Sequence, residues 1–175
     1  MTDTANTFTT LAVDPGLAEA FWPEKERIWP GFMFEDRYSN MYWSHLSRHF
    51  PEWQHYLLDD SGAPIAVAQT IPCVWDGTMQ GLPVGWAEGL VQGAEGYLRG
   101  DEPNTLMALE IAISPDHTGQ GISYTMLNAI RVHAREAGFQ ALIVAVRPSL
   151  KSHYPITPME RYCRWQRDDG LPFDH

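Results

Sequence analysis

Two apolar runs flank a loop with two glycines and an amphipathic run between residues 105 and 146. TLMALEIAIS, at 105–114, is a continuous apolar stretch and predicts the strongest strand of the chain. GISYTMLNAIRVHAREAG, at 121–138, repeats apolar residues every three or four positions and predicts the strongest helix. A short buried strand, ALIVAV at 141–146, follows. Strand, helix and strand in this order form a βαβ unit with parallel strands, which restricts the fold more than any other feature.

The loop at the start of this helix, HTGQGIS at 117–123, places Gly119 and Gly121 one residue apart. The first N–H groups of a helix lack acceptors within the helix and lie at the positive end of its dipole. Glycines let a ligand approach these groups closely, because they carry no Cβ. The loop therefore predicts a phosphate or pyrophosphate site built from the amides of residues 119–123. A tight structural turn is the alternative.

Two common phosphate-binding motifs do not fit this loop. It lacks the Gly-Lys-Ser/Thr of a Walker loop, and Tyr124 stands where the dinucleotide fingerprint has its third glycine. The stretch ISPDHTGQGISYTMLNAI instead resembles the signature of the GNAT superfamily of acyl-CoA N-acyltransferases, in which Gln/Arg-x-x-Gly-x-Gly/Ala leads into a long helix. Gly121 matches the essential glycine of that signature, whereas Thr118 and Ser123 depart from its first and last positions.

The order of the other predicted elements is also similar to that family. A strand, two helices and a hairpin precede the βαβ unit, at residues 8–13, 14–28, 39–50, 54–58 and 63–71. The resemblance implies an α+β fold, with a mixed, mainly antiparallel sheet around a central βαβ unit that binds the coenzyme. The family ends in a further helix and two strands, but only about 29 residues follow the strand at 141–146. Either those strands are missing, or a partner supplies them, or the assumed register is wrong.

A chain of 175 residues fits a single domain. We divide it into acceptor-side helices and a hairpin at 1–103, an acyl-CoA-binding βαβ unit at 104–147 and a short C-terminal segment at 148–175. Aromatic residues crowd the first third of the chain. They either pack in the core or line an apolar acceptor pocket.

The resemblance implies that acetyl-CoA or another acyl-CoA binds as co-substrate and that its acyl group moves to an amine. The pyrophosphate would lie on the Gly-x-Gly loop. The pantetheine arm would pair with the end of the preceding strand, because neighbouring strands splay apart in this fold. The residues expected to bind the coenzyme are Ala112, Ile113, Ser114, Thr118, Gly119, Gln120, Gly121, Ile122 and Ser123.

One carboxylate, Glu110, lies among small residues on one face of the strand at 105–114. An unpaired buried charge is costly, and desolvation raises the pKa of a carboxylate toward the range of a general base. GNAT members commonly use a glutamate on this strand as the general base, so the resemblance makes Glu110 the first candidate. The alternative is a structural carboxylate paired with Arg147 or with a helix amide.

The family often uses a tyrosine that follows the last βαβ strand as the general acid. Tyr154 lies seven residues past Arg147, and Tyr162 lies in a helix predicted at 158–166. The local sequence departs from the usual Asn-containing segment of the family, and simple packing is the alternative role for either tyrosine. His45, His49 and His55 lie close in sequence, but no glutamate follows His45 as in HExxH, so we expect no metal site.

Composition restricts the partners. The formal charge of −10 fits nucleic acid poorly and fits an amine-bearing partner better. The N-terminus lacks the features of a signal peptide, no run has the length of a membrane span, and Cys73 and Cys163 form no paired motif. We therefore expect a cytoplasmic protein. A homodimer is a possible oligomeric state. A non-catalytic acyl-CoA-binding or assembly module on the same fold is the second interpretation of the sequence.

Overall fold

The structure is a computed structural model that describes residues 6–146 and 148–174 of the chain. The chain divides into two compact units, one ending at Val144 and the other beginning at Ala145. The first unit contains a sheet and the longer helices. The second consists of short helical turns, a tight hairpin-like turn and a cluster of aromatic rings. No helix in the described residues is long and apolar enough to cross a membrane.

The first unit is built on a five-stranded sheet whose strands lie side by side in chain order. The strands are β1 (Thr7–Thr10), β2 (Gln54–Leu58), β3 (Pro64–Cys73), β4 (Thr105–Ile113) and β5 (Ala141–Val144). The first four pair antiparallel, and β5 joins β4 in parallel. This mixed, mainly antiparallel sheet with a βαβ unit at one edge confirms the expected α+β fold.

Four helices pack on the sheet, at α1 (Leu17–Ile28), α2 (Arg37–His49), α3 (Trp86–Arg99) and α4 (Ile122–Glu136). Buried apolar side chains of α2, α3 and α4 join one large core cluster. A second, smaller cluster joins Leu17 and Phe21 of α1 to Tyr56, Val67 and Ala112, which lie opposite one another on β2, β3 and β4. Helix α1 therefore covers one face of the central strands.

The beginnings of two helices differ from the predicted positions. The carboxylate of Asp14 accepts a hydrogen bond from the Gly16 N–H at 2.9 Å, so Gly16 rather than Asp14 is the N-cap of α1. Helix α2 begins before residue 39, because Asp36 caps it by accepting a hydrogen bond from the Ser39 N–H at 2.8 Å. Aspartate outcompetes serine or asparagine here because its position already has the extended backbone of an N-cap.

Strand β4 carries one residue more than its partner strand at a single point. Glu110 lies opposite Gln69 and Ala108 opposite Thr70, which leaves Leu109 without a partner on β3. A bulge of this kind bends a strand and increases its twist. Pairing between β4 and β5 ends at Ala108, which lies opposite Val144. The bulge therefore coincides with the point where the two parallel strands separate.

The second unit holds α5 (Met159–Tyr162), which is shorter than the helix predicted at 158–166. Its centre is an aromatic cluster in which the rings of Tyr154, Tyr162, Trp165 and Phe173 contact one another. The described residues of this unit form one isolated bridge, Gln166 with Pro172, and no longer strand. An aromatic cluster thus stands in this segment where the family order has two strands.

Candidate active site

The Gly-x-Gly loop, residues 118–123, requires glycine at two positions for the same reason. The φ angle is +74° at Gly119 and +75° at Gly121, in the left-handed region that L side chains disfavour. A Cβ at either position would meet no atom within 4 Å, so crowding is not the cause. The glycines allow the chain to reverse twice and enter α4 with Gly121 as its N-cap.

This entry leaves a row of N–H groups open to solvent. Within the described chain, no acceptor bonds the N–H groups of residues 119–123, and no side chain caps Gly121. Ile122 is buried and anchors the first turn, while its neighbours in the loop are exposed. Because α4 is 15 residues long, these groups lie at the positive end of a substantial helix dipole. The arrangement suits an anion with several oxygens.

The other side chains of the loop do not compete for this anion. The Thr118 hydroxyl donates to the Pro115 carbonyl at 3.0 Å, and Gln120 and Ser123 are exposed. The departure of Thr118 from the family signature therefore removes a long side chain without changing the backbone N–H groups.

An open strand edge leads to this loop. Beyond Ala108, β4 has no described strand partner on the side of β5. The indole N–H of Trp86 donates a hydrogen bond to the carbonyl of Leu109 at 2.8 Å. The Ser114 N–H donates to the Ile65 carbonyl at 2.9 Å and is thus already used on the β3 side. The edge around Ala112 and Ile113 remains where an extended ligand can pair with the strand.

The side chain of Glu110 is only 7% exposed, and both of its carboxylate oxygens have partners. Lys25 Nζ lies 2.9 Å from Oε2, and the indole N–H of Trp29 donates to Oε1 at 2.6 Å. Of the partners foreseen from the sequence, Arg147 lies outside the described residues. The two partners observed both come from the C-terminal half of α1 and the residue after it.

The position of Lys25 follows from the spacing of α1. Leu17, Phe21 and Lys25 recur every four residues and form its buried stripe. The first two pack on apolar residues of the sheet, and the third lies over the polar pair of Gln69 and Glu110, which face each other across β3 and β4. A lysine on an otherwise apolar stripe is the signal in the sequence that points to a buried carboxylate partner, and our sequence analysis did not use it.

Aromatic side chains enclose this cluster. Lys25 Nζ lies 5.2 Å from the ring centroid of Trp43, and that ring stacks on Trp86 with centroids 5.7 Å apart. Tyr56 is buried on the same face, and its burial, followed by the Glu110 charge, raises the pKa of its hydroxyl well above the ordinary value. Some of the aromatic residues of the first third thus surround the candidate base, while others, such as Phe50 and Trp53, belong to the core.

A second ion pair joins α1 to the Gly-x-Gly loop region. Arg27 makes two hydrogen bonds to the Asp116 carboxylate, at 2.9 and 3.2 Å, and also bonds Glu24. Asp116 lies in the helical turn Pro115–His117 that leads into the loop. These side chains are well exposed, so solvent screens them. Helix α1 therefore contacts both β4, through a buried pair, and the loop region, through an exposed one.

The two tyrosines proposed as the general acid lie in the second unit. Tyr162 is buried and its hydroxyl donates to Asp174 at 2.6 Å. Burial and this carboxylate raise the pKa of Tyr162 to about 12. The Tyr154 ring contacts Trp165 in the same cluster. The structure thus gives both tyrosines a packing role in their own unit.

The histidines considered as metal ligands do not lie together. His45 and His49 neighbour each other on α2, with ring centroids 5.1 Å apart. His55 instead lies on β2 and meets His133 of α4, with Nε2 and Nδ1 3.0 Å apart. Among the described residues, no group of three or more His, Cys, Asp or Glu side chains could hold a metal ion.

Comparison with known proteins agrees with this fold. The profile of the acetyltransferase (GNAT) family matches residues 17–153, which include strands β2 to β5, the Gly-x-Gly loop and α4. The chain therefore belongs to the GNAT family. This confirms the family that the loop sequence resembles.

Three relatives show the range of the likeness. The arginine N-acetyltransferase avaD of Aspergillus versicolor is 31% identical over 173 residues, an alignment that covers 91% of this chain and 59% of that protein. The chain thus spans little more than half of that relative. The loading GNATL domain of CurA from Lyngbya majuscula has a TM-score of 0.73 at 14% identity, covering 97% of this chain and 79% of that one. The GphF GNAT-like decarboxylase in complex with isobutyryl-CoA has a TM-score of 0.68 at 16% identity, covering 96% and 80%. The two structural likenesses concern the fold.

Proposed function

We propose that this protein transfers an acetyl or other acyl group from acyl-CoA to a small-molecule amine. The observation that carries the proposal is the exposed row of N–H groups at the Gly-x-Gly loop, at the positive end of α4. Such a row binds pyrophosphate, and membership of the GNAT family makes acyl-CoA the ligand to expect there. The pantetheine arm would continue along the open edge of β4, near Ala112 and Ile113, toward Glu110.

Glu110 is the proposed general base. An amine must lose a proton as its nitrogen bonds the acyl carbon, and a positioned carboxylate accepts this proton directly or through water. Both oxygens of Glu110 already have a protein donor. A carboxylate oxygen accepts more than one hydrogen bond, so room for a water or an amine remains. The bond from the acyl carbon to sulfur then breaks, and the coenzyme leaves as a thiolate that takes up a proton.

Tyr154 and Tyr162 are the proposed sources of the proton for the thiolate. A general acid must carry its proton before it donates it, and a tyrosine hydroxyl is protonated at neutral pH. Phenylalanine at each position in turn tests the proposal. Loss of the true acid should lower kcat while the affinity for acetyl-CoA stays unchanged, and the other tyrosine serves as its control.

The acceptor is proposed from its chemistry. The relative from Aspergillus versicolor is named as an arginine N-acetyltransferase, which makes arginine the first amine to test. The net charge of −10 favours the approach of a cationic amine. The indole rings of Trp43 and Trp86 beside the Glu110 cluster offer apolar and cation-binding surfaces.

The test combines binding with turnover. Calorimetry should show that the wild-type protein binds acetyl-CoA, and a thiol assay should show that an amine panel led by arginine releases free coenzyme A. Glu110→Gln should retain binding and lose turnover. Binding without turnover for any amine would favour a non-catalytic acyl-CoA-binding module. No binding of acetyl-CoA would contradict the proposal and leave the Gly-x-Gly loop as a structural turn.

A cytoplasmic location and a homodimer complete the proposal, which includes no nucleic-acid partner. Cys73 and Cys163 are both free thiols, one buried and one exposed, as a reducing compartment allows. The acidic charge opposes binding to phosphate backbones. Sedimentation of the pure protein tests the dimer, and fractionation of the source cells tests the location.

A further inference from the structure

Lys25 is a buried cation whose contacts all lie around Glu110. Only 8% of the residue is exposed, and lysine is seldom buried unless it is paired. Its ammonium group donates to Gln69 Oε1 at 2.6 Å and to Glu110 Oε2 at 2.9 Å, and it lies 5.2 Å from the centroid of Trp43. Two of the three N–H groups thus have oxygen acceptors, and the Trp43 ring lies near the same ammonium group.

The two oxygens of Glu110 are fixed by different partners. Lys25, in the last turn of α1, holds Oε2, and Trp29, the residue that follows the helix, holds Oε1. Rotation of the carboxylate about its last bond would break both hydrogen bonds. The orientation of Glu110 therefore depends on α1 rather than on the strand that carries it.

We infer that Lys25 is the positioning residue of the catalytic base: its ammonium group supplies the opposite charge beside the Glu110 carboxylate and fixes the orientation of that carboxylate, with Trp29 as the second support. This inference rests on the proposed function, in which Glu110 accepts the proton of the amine. A base can act only while it is ionised, and an opposite charge at about 3 Å favours the ionised form. Among the described residues, Tyr56 is a further titratable group near Glu110, and its hydroxyl stays neutral because its pKa is raised.

A purely structural ion pair is the competing explanation, and the two differ in their dependence on pH. If Lys25 only holds α1 on the sheet, its loss lowers activity by a similar factor at every pH. If its positive charge acts on the base, the loss is largest in acid and shrinks as the pH rises. The shape of the profile, rather than the amount of activity, separates the two.

The experiment measures kcat/KM for acetyl transfer to the best amine between pH 5.5 and 9 for the wild type and four variants. In Lys25→Met, the acid limb of the plot of kcat/KM against pH should move to higher pH by about one unit or more, as expected for removal of a neighbouring opposite charge. Its affinity for acetyl-CoA by calorimetry should stay within about twofold, because the pyrophosphate site is separate. Lys25→Arg should restore the position of the limb in part, since it keeps the charge.

Two further variants keep the inference falsifiable. Trp29→Phe keeps an aromatic ring and removes the hydrogen bond to Glu110 Oε1. It should therefore lower kcat even if Lys25→Met folds poorly. Arg27→Gln removes an exposed cation from the same helix that does not touch Glu110, and its acid limb should match the wild type. If the acid limb of the pH profile is unmoved in Lys25→Met and kcat is unchanged in Trp29→Phe, the inference about Lys25 is wrong. The proposed function would still stand. Full turnover by Glu110→Gln would overturn the role of the base itself, and no acyl transfer by the wild type would overturn the proposed function.

Discussion

The two halves of the candidate site are built in opposite ways. The Gly-x-Gly loop is exposed, offers backbone N–H groups and leaves them without acceptors in the described chain. Glu110, on the strand that leads to this loop, is buried, and both of its oxygens already have donors on other side chains. The N–H groups of the loop lack acceptors, which a ligand can supply. The carboxylate oxygens of Glu110 already have donors without a ligand.

Because of this difference, we expect the Glu110 cluster to contribute mainly to stability and the Gly-x-Gly loop mainly to ligand binding. Groups that are already satisfied contribute to the folded state, so their loss should lower the free energy of unfolding. Groups left open in the folded state contribute when an anion arrives, so their loss should lower affinity. Substitutions on each side, with matched controls, test whether the division holds.

The largest effect is expected from breaking the buried pair of Lys25 and Glu110. Removing one partner of such a pair costs roughly 3–5 kcal/mol, because the other charge stays buried without compensation. Lys25→Met should therefore lower the free energy of unfolding in urea by about 3 kcal/mol. The double variant Lys25→Met/Glu110→Gln should lose less than the sum of the singles, because it leaves no unpaired charge. Additive losses would show that the two charges do not stabilise each other.

The loop could be predicted from the sequence because its requirements are local. Two glycines before a helix suffice to indicate a left-handed entry and a row of free N–H groups, and both follow from residues 119–123 alone. The strand and helix around them were predicted for the same reason, since each shows its own periodicity. The length of the final helix was not, because α5 is limited by the packing of aromatic rings rather than by its own pattern.

The Glu110 cluster could be predicted only in part because its members are distant in sequence. Glu110 itself is a conspicuous carboxylate on an apolar strand, but Lys25 and Trp29 lie 85 and 81 residues away. Their meeting depends on which face α1 covers and on the bulge at Leu109, which sets the face that each residue of β4 presents. Neither feature has a local signal, although a lysine on the apolar stripe of α1 indicates that some buried acceptor exists.

The next largest effect should come from the loop, at Gly121. Valine there must adopt a φ near +75°, which costs about 1–2 kcal/mol, and its side chain would stand where a ligand approaches. Gly138→Val at the other end of α4 is the matched control, since its φ is +90°. Both variants should lose similar stability, but only Gly121→Val should weaken acetyl-CoA binding, by about tenfold or more, as loss of one charge-assisted hydrogen bond would do. Equal affinities in the two variants would contradict a ligand site at the loop.

His55 and His133 form a second polar pair in the protein interior, and this pair has no neighbouring carboxylate among its described hydrogen bonds. Burial and the neighbouring His133 lower the pKa of His55 from its ordinary 6.5 to about 3. As the pH falls below 6.5, the unfolded chain binds a proton that the folded chain does not, so stability falls until the folded pKa is reached. The expected loss is about 1 kcal/mol between about pH 7 and pH 5.5.

Urea unfolding at several pH values measures this slope. His55→Gln should remove its own contribution, while His133→Gln leaves His55 buried and should retain most of the slope. Measurements above about pH 5 avoid the ordinary titration of carboxylates. A slope that is the same in the wild type and in His55→Gln would show that this histidine is not buried in its neutral form.

The smallest effect is expected where the two halves meet, at Arg27 and Asp116. The geometry is good, with two hydrogen bonds at 2.9 and 3.2 Å, and the guanidinium lowers the pKa of the Asp116 carboxyl. Yet the two side chains are 46% and 68% exposed, so water and salt screen most of the attraction. Arg27→Gln should therefore leave the midpoint of urea unfolding unchanged, at low salt and at high salt. A clear loss of stability at low salt that disappears at high salt would mean that α1 is held to the loop region by this pair, and the buried and exposed halves of the site would then be coupled rather than independent.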